Sequence, residues 1–302
     1  MPHVVADRYL VTGNAVAPTA GTMAWVVGGL IGLGVRHLAG GDDAASVVLL
    51  VLTVPTYLAA GTVALLLGRD ELGPDEGAER ESVRSIARGL ASGIRHLRER
   101  RPAARAIAMV GAHRMIFGAA TLLTLLQARE TLHPGDPEGA LAAIGVTSVA
   151  AGAGALAGAL VTPWLSRRFG TVVWQACALA LGVCLGTIGV GLATISGFVV
   201  RGLFLGFAGQ AVKVCSDTIV QEDVADDHRG RVFSWYDMTT NVGTVIGVVG
   251  ATLALTAAVS PATMGMAMAL VGLTAAGWSL WRERRDPASA YAQDPEAVSP
   301  HG

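Results

Sequence analysis

Three basic side chains, Arg114, Arg201 and Lys213, stand inside stretches apolar enough to cross a bilayer. A charge in hydrocarbon is costly, so such residues usually face a cavity, a water path or a partner. Arg114 is the deepest. It lies about 11 residues into its stretch, ~16 Å along a helix, near the midplane and beyond easy snorkelling. Two readings stand for it. One is a cavity group that binds an anionic moiety or pairs with a carboxylate; the other is a structural arginine held by an ion pair or by backbone carbonyls. His113 is its neighbour and points elsewhere on a helix. Facing a cavity it would relay protons near neutral pH; otherwise it is a packed, hydrogen-bonded histidine. Arg201 sits close to the outer end of its stretch, where snorkelling suffices. Gln210, on the Lys213 side of its helix, is a further cavity candidate.

A second set gathers at the opposite end. Lys213 and Asp217 are four residues apart and can pair along one helix face, and Asp237 and Asn241 repeat that spacing on the next helix. With Arg229 and Arg231 in the joining turn, they suggest a charge network that closes the inner mouth of a pathway in one state and breaks in another. The other reading is static tethering of a short loop. Enzymatic chemistry finds little support. The sequence has no Walker-type phosphate loop, no His-Glu-x-x-His and no Gly-x-Ser-x-Gly. Cys177, Cys184 and Cys215 lack metal-ligand spacing, so they read as small apolar fillers. No enzyme activity, metal, cofactor or nucleic-acid partner is expected.

The elements that position these residues are eight apolar stretches, at 13–35, 44–67, 103–126, 139–162, 171–193, 195–216, 234–257 and 262–281. About 20 apolar residues in a helix cross the ~30 Å hydrocarbon core. Charged residues make up only 15% of the chain, well below the ~25% of soluble domains, which excludes a soluble fold. The expected fold is all-α, a polytopic helical bundle of eight spans. Small-xxx-small pairs recur at Gly28/Gly32, Gly154/Gly158, Gly182/Gly186, Gly202/Gly206 and Gly243/Gly247, the signature of close helix packing in lipid. With a cytosolic N-terminus, 17 basic residues fall on the cytosolic side and only Arg36 and Arg129 on the other. That is a positive-inside distribution with both termini cytosolic.

Residues 68–102 form the one long connection. Val83, Ile86, Leu90, Ile94 and Leu97 recur at helical spacing among arginines, which predicts a basic amphipathic helix on a cytosolic linker. A repeat sits astride it. Val5-Ala6-Asp7 followed by Gly21-Thr22 and Val26-Val27-Gly28 returns as Val224-Ala225-Asp226 followed by Gly243-Thr244 and Val248-Val249-Gly250. Parallel repeats about a long cytosolic linker are a feature of secondary transporters.

Local motifs carry a family resemblance. Pro2-His3-Val4-Val5 with the run Leu10 to Ala15 looks like the lead into a fifth helix, and Asp217 to Gln221 followed by Arg229 to Ser234 like a tenth-to-eleventh helix junction. Trp164 to Gly170 sits where a loop motif Gly-x-Leu-x-Asp-Arg-x-Gly-Arg would fall; Leu165, Arg168 and Gly170 match it, whereas Arg167 and Thr171 depart from it. The chain thus resembles the major facilitator superfamily, in its efflux-type actinobacterial branch. The resemblance implies two six-helix halves with a cytosolic linker, of which this chain supplies helices five to twelve. It also puts Arg114 on a seventh helix that lines the substrate path.

The implied organisation is a two-span remnant of the N-terminal half at 1–67, the linker at 68–102, a six-helix bundle at 103–285 and a disordered cytosolic tail at 286–302. Because Met1 falls inside a family-like motif, a truncated gene model or gene fragment is expected rather than a natural eight-helix protein. The implied function is secondary active transport in a bacterial plasma membrane. A small organic solute would be exported by alternating access, with protons as the coupling ion. The alternative is a non-transporting membrane remnant or interaction protein, or the complement of a separately encoded first half.

Overall fold

The computed structural model describes residues 43–66, 99–224 and 226–285, with scattered positions between 24 and 38 and between 92 and 97. The motif at 2–15, most of the first repeat copy, the linker from 67 to 91 and the tail at 286–302 lie outside the described residues. The chain divides into two compact units, Met1–Ser82 and Val83–Gly302. Among the described residues, seven helices are long and apolar enough to span a membrane. Of the expected stretch 13–35, only scattered helical residues are described.

The first unit contributes α1, Asp43–Leu66. Its apolar residues run all round the helix, with Leu50, Val54, Leu58 and Leu65 exposed, which suits a lipid-surrounded helix rather than an amphipathic one. Pro55 lies inside it, and the hydroxyls of Thr53, Thr56 and Thr62 bond back to the carbonyls of Leu50, Leu52 and Ala59. Such back-bonding satisfies polar groups where lipid offers none.

The second unit contains six helices: α2 (Arg101–Leu126), α3 (Pro137–Phe169), α4 (Thr171–Gly191), α5 (Ile195–Asp223), α6 (Asp226–Thr256) and α7 (Pro261–Arg284). Sequence chemistry sets their ends. Asp136, Thr194 and Ser260 each accept a hydrogen bond from the backbone N–H three residues on, capping α3, α5 and α7. Pro102, Pro137 and Pro261 occupy first-turn positions, where a missing N–H costs nothing. Gly170 alone joins α3 to α4, at φ 87°, a conformation open to glycine. At its C-terminal end α2 widens into a π-helical segment, Gln127–Leu132.

The most extensive packing is of α3 on α5, then α4 on α5, α2 on α6 and α4 on α7. The glycine pairs explain how closely these helices approach. A Cβ on Gly154 would overlap the Leu203 carbonyl, and one on Gly206 would overlap that of Ala151, so α3 and α5 interlock backbone to backbone. Gly247 likewise sits against the Met115 carbonyl of α2, and Gly182 against Ala208. The remaining pair, Gly28/Gly32, meets no described atom within 4 Å of an added Cβ. Met109, Ile116, Leu179, Val183, Leu205 and Met268 fill the common core. Leu156, Leu160, Val245, Leu253 and Leu270 stay exposed, as a bilayer-facing surface requires.

At the arginine-rich end, polar contacts join helices that are distant in sequence. The Asp223 carboxylate accepts from the Ala103 N–H at 3.1 Å and lies 3.9 Å from Arg100, which ties the end of α5 to the start of α2. Arg105 pairs with Glu283, which ties α2 to α7.

Candidate functional site

Arg114 occupies a half-buried position on α2, with Gly243 of α6 against its Cβ. Its guanidinium lies 5.8 Å from the centroid of the Phe117 ring, within cation–π range. Among the described residues no carboxylate comes within ion-pair distance of it. On α6 Tyr236 is buried, 6% exposed, with its hydroxyl toward the Asp217 carboxylate of α5. The charged groups acting on that phenol are Asp217 of α5, Arg114 of α2 and Asp237 beside it. Asp217 is itself held by Lys213 at 2.5 Å along one face of α5. Three helices thus bring polar groups together inside the unit.

The other candidates take separate places. His113 is 3% exposed, and its Nε2 lies 3.0 Å from the Leu205 carbonyl of α5. Its ring fills the space that a Cβ at Gly209 would need. Gln210 is half-buried, with its Cβ beside Gly158 of α3. The six residues read as an inner gate fall into distinct groups. Lys213 and Asp217 pair with each other, whereas Arg229 donates to the carbonyls of Gln221 and Val224 and so closes the end of α5. Arg231 donates to Ser92 Oγ, and Asn241 donates to the main-chain carbonyl of Asp237 rather than to its carboxylate. The Asp237 side chain is exposed.

Arg201 overturns its sequence reading. Instead of snorkelling to an interface it is 1% exposed, among the most deeply buried side chains described. Its guanidinium donates to Thr124 Oγ1 at 2.8 Å, Gln127 Oε1 at 2.6 Å and the Gly189 carbonyl at 2.7 Å, and lies over the Phe198 ring. Gln127 in turn donates to the Val190 carbonyl. The planar fork joins α2, α4 and α5 through neutral oxygens, which a flexible ammonium would match poorly. A second buried chain runs from Gln175 of α4 through Ser216 of α5 to the Ala106 carbonyl of α2.

Sequence reasoning passed over Tyr236, Thr124 and Gln127. Only for Tyr236 was a signal at hand: it is the sole tyrosine between residues 103 and 285. Among the described residues no group of His, Cys, Asp and Glu is arranged to hold a metal ion.

Seven long apolar helices, outward-facing aliphatic side chains and polar groups kept to the interior define a multi-pass membrane protein of the all-helical bundle class. Its motifs and its sequence relatives agree on which one. The chain belongs to the Major Facilitator Superfamily, whose family model matches residues 2–247. It is 32% identical over 253 residues to an uncharacterized MFS-type transporter of Mycobacterium bovis, and to the same degree to one of Mycobacterium tuberculosis. The alignment covers 82% of this chain and 56% of each relative, so the chain spans about half the length of the curated relatives it matches. No solved structure matches it.

Proposed function

We propose that this chain supplies the substrate-path helices of a secondary active transporter that exports a small organic solute across a bacterial plasma membrane by alternating access. The observation that carries the reading is the convergence of Arg114, Tyr236 and the Lys213–Asp217 pair, from α2, α6 and α5, in a unit of a transport family. Polar groups are retained at depth in a membrane bundle where they meet a substrate, an ion or one another. Because the chain spans 56% of the length of its relatives, transport is proposed for the assembly this unit completes, a separately encoded first half included.

Coupling to protons and closure of an inner gate are parts of the same proposal. The Lys213–Asp217 pair is the group suited to the gate, since a contact made on one helix can be exchanged for one across to α6. Gln210, half-buried on α5, is proposed to border the path, whereas His113, bonded to the Leu205 carbonyl, packs α2 against α5. The test is a proton-gradient assay in everted membrane vesicles containing the chain. A transported solute should collapse the gradient and accumulate inside, and Arg114→Ala should abolish both. If a broad panel of organic anions, cations and neutral solutes gives neither response, the transport reading fails.

A further inference from the structure

We propose that the last two turns of α7 hold an anionic phospholipid, with its phosphate on Arg282 and Arg285 and its glycerol backbone against Trp278 and Trp281. The site needs only an α7 that crosses a bilayer, and so stands apart from the transport reading.

Helical spacing puts the four side chains together. Residues 278, 281, 282 and 285 stand at i, i+3, i+4 and i+7, which is one face of a helix, and Arg285 keeps helical backbone angles at the C-cap. All four are exposed, Trp278 by 40% and Trp281 by 46%. The guanidiniums of Arg285 and Arg282 lie 4.2 and 5.3 Å from the centroid of the Trp281 ring. One indole thus gathers two cations that repel each other. An anion that accepts from both relieves the repulsion through charge-assisted hydrogen bonds. Glu283, the acid within this turn, is drawn inward by its pair with Arg105, a buried residue of α2, so it does not stand against a phosphate.

The same face continues toward the membrane interior as hydrocarbon surface. Leu270 and Val271 are exposed, and the Thr274 hydroxyl donates back to their carbonyls. A Cβ added at Gly277 would meet nothing within 4 Å, which leaves open space beside the indoles. From Leu270 to Arg282 is about 12 residues, ~18 Å of helix, close to the ~15 Å of one hydrocarbon leaflet. Indoles are enriched at the level of the glycerol and headgroups, and arginines snorkel to the phosphates. A soluble anion would engage the arginines alone, whereas a phospholipid engages the whole face, aliphatic, aromatic and basic in that order. The end of α3 provides a contrast. Trp164, Arg167 and Arg168 are exposed there too, but Arg167 and Arg168 are adjacent and diverge by about 100°. Arg282 and Arg285 instead meet over one ring.

The test uses the full chain purified in detergent and titrated with two lipids that differ only in headgroup, phosphatidylglycerol and phosphatidylcholine, each brominated on its acyl chains. Bromine quenches tryptophan fluorescence on contact, so the titration reads lipid seated beside an indole. Phosphatidylglycerol should quench at a concentration at least ~10-fold lower than phosphatidylcholine, since each arginine near an anionic headgroup is worth roughly 5-fold in affinity. Trp281→Phe should remove most of the headgroup-selective quenching. Arg282→Gln combined with Arg285→Gln should bring the two lipids within ~2-fold of each other, with thermal unfolding in phosphatidylcholine unchanged because the replaced side chains are exposed. Arg167→Gln combined with Arg168→Gln should leave the selectivity within ~2-fold of the wild-type value. Equal quenching by both lipids in the wild-type chain would overturn the proposal; it is the outcome expected if Asp286, Asp294 and Glu296 of the following segment take the arginines instead. Selectivity that survives in the 282/285 variant or in Trp281→Phe, or that falls as far in the 167/168 variant, would overturn it as well.

Discussion

Arg114 and Arg201 are the same residue, in the same bundle, at depths where a charge is expensive. Arg201 is enclosed: three neutral oxygens from α2, its π-helical end and α4 accept from its two terminal nitrogens, an aromatic ring covers it, and 1% of it is exposed. Arg114 is half-buried on α2, with Gly243 of α6 against its Cβ and the Phe117 ring 5.8 Å from its guanidinium. An arginine whose terminal nitrogens are both held by its own protein, in a site closed to the surface, is part of the scaffold. One that is half-buried, with no such bonds among the described residues, is accessible to a ligand. Depth in the membrane does not separate the two cases; the partners do.

Replacing each arginine with Met should break the comparison most sharply. Arg201→Met removes three interhelical hydrogen bonds of roughly 0.6–1.7 kcal/mol each, a loss of about 2–5 kcal/mol. Monodisperse folded protein should fall steeply on size-exclusion chromatography, and the unfolding temperature should drop. Arg114→Met should change stability by less than about 0.5–1 kcal/mol, while transport is lost. Similar stability losses in both variants would erase the distinction.

Lysine at the same two positions sharpens it further. One ammonium cannot reproduce the fork across Thr124, Gln127 and Gly189, so Arg201→Lys should still cost about 1–3 kcal/mol. Arg114→Lys should keep wild-type stability and part of the transport activity. Gln127→Leu removes one of the acceptors on Arg201 and should cost about 1–2 kcal/mol in a thermal unfolding scan. An unchanged scan would show that the buried cation is held in some other way. Smallest of all, Lys213→Met removes a partly exposed pair along one helix and should cost only about 0.3–0.5 kcal/mol. A loss of several kcal/mol there would place that pair with Arg201 as scaffold.

The helices were legible because length and apolarity are properties of a contiguous run, and the arginine-rich end followed from counting charges along the chain. The glycine pairs at 154/158 and 202/206 were legible for the same reason. A four-residue spacing puts both members on one face, and the two faces meet across α3 and α5. Lys213 and Asp217 share a helix, so spacing alone brings them together. Arg201 was misread because its distance from a helix end says nothing about which neighbouring helix supplies Thr124, Gln127 or Gly189. The donation of Arg229 to the α5 carbonyls and of Arg231 to Ser92 depends likewise on contacts outside each residue's own span.

By itself, the sequence determined that this chain is a multi-pass helical membrane protein of a transport family, with glycine faces for packing and a few costly charges at depth. The physical reason is that hydrophobicity and helical period are local, one-dimensional properties of the chain. Only the tertiary structure decided which of those charges is spent and which is free. That depends on partners on other helices, as with Arg201 and its acceptors Gln127 and Thr124, 74 and 77 residues away, which come together through the folding of the bundle alone.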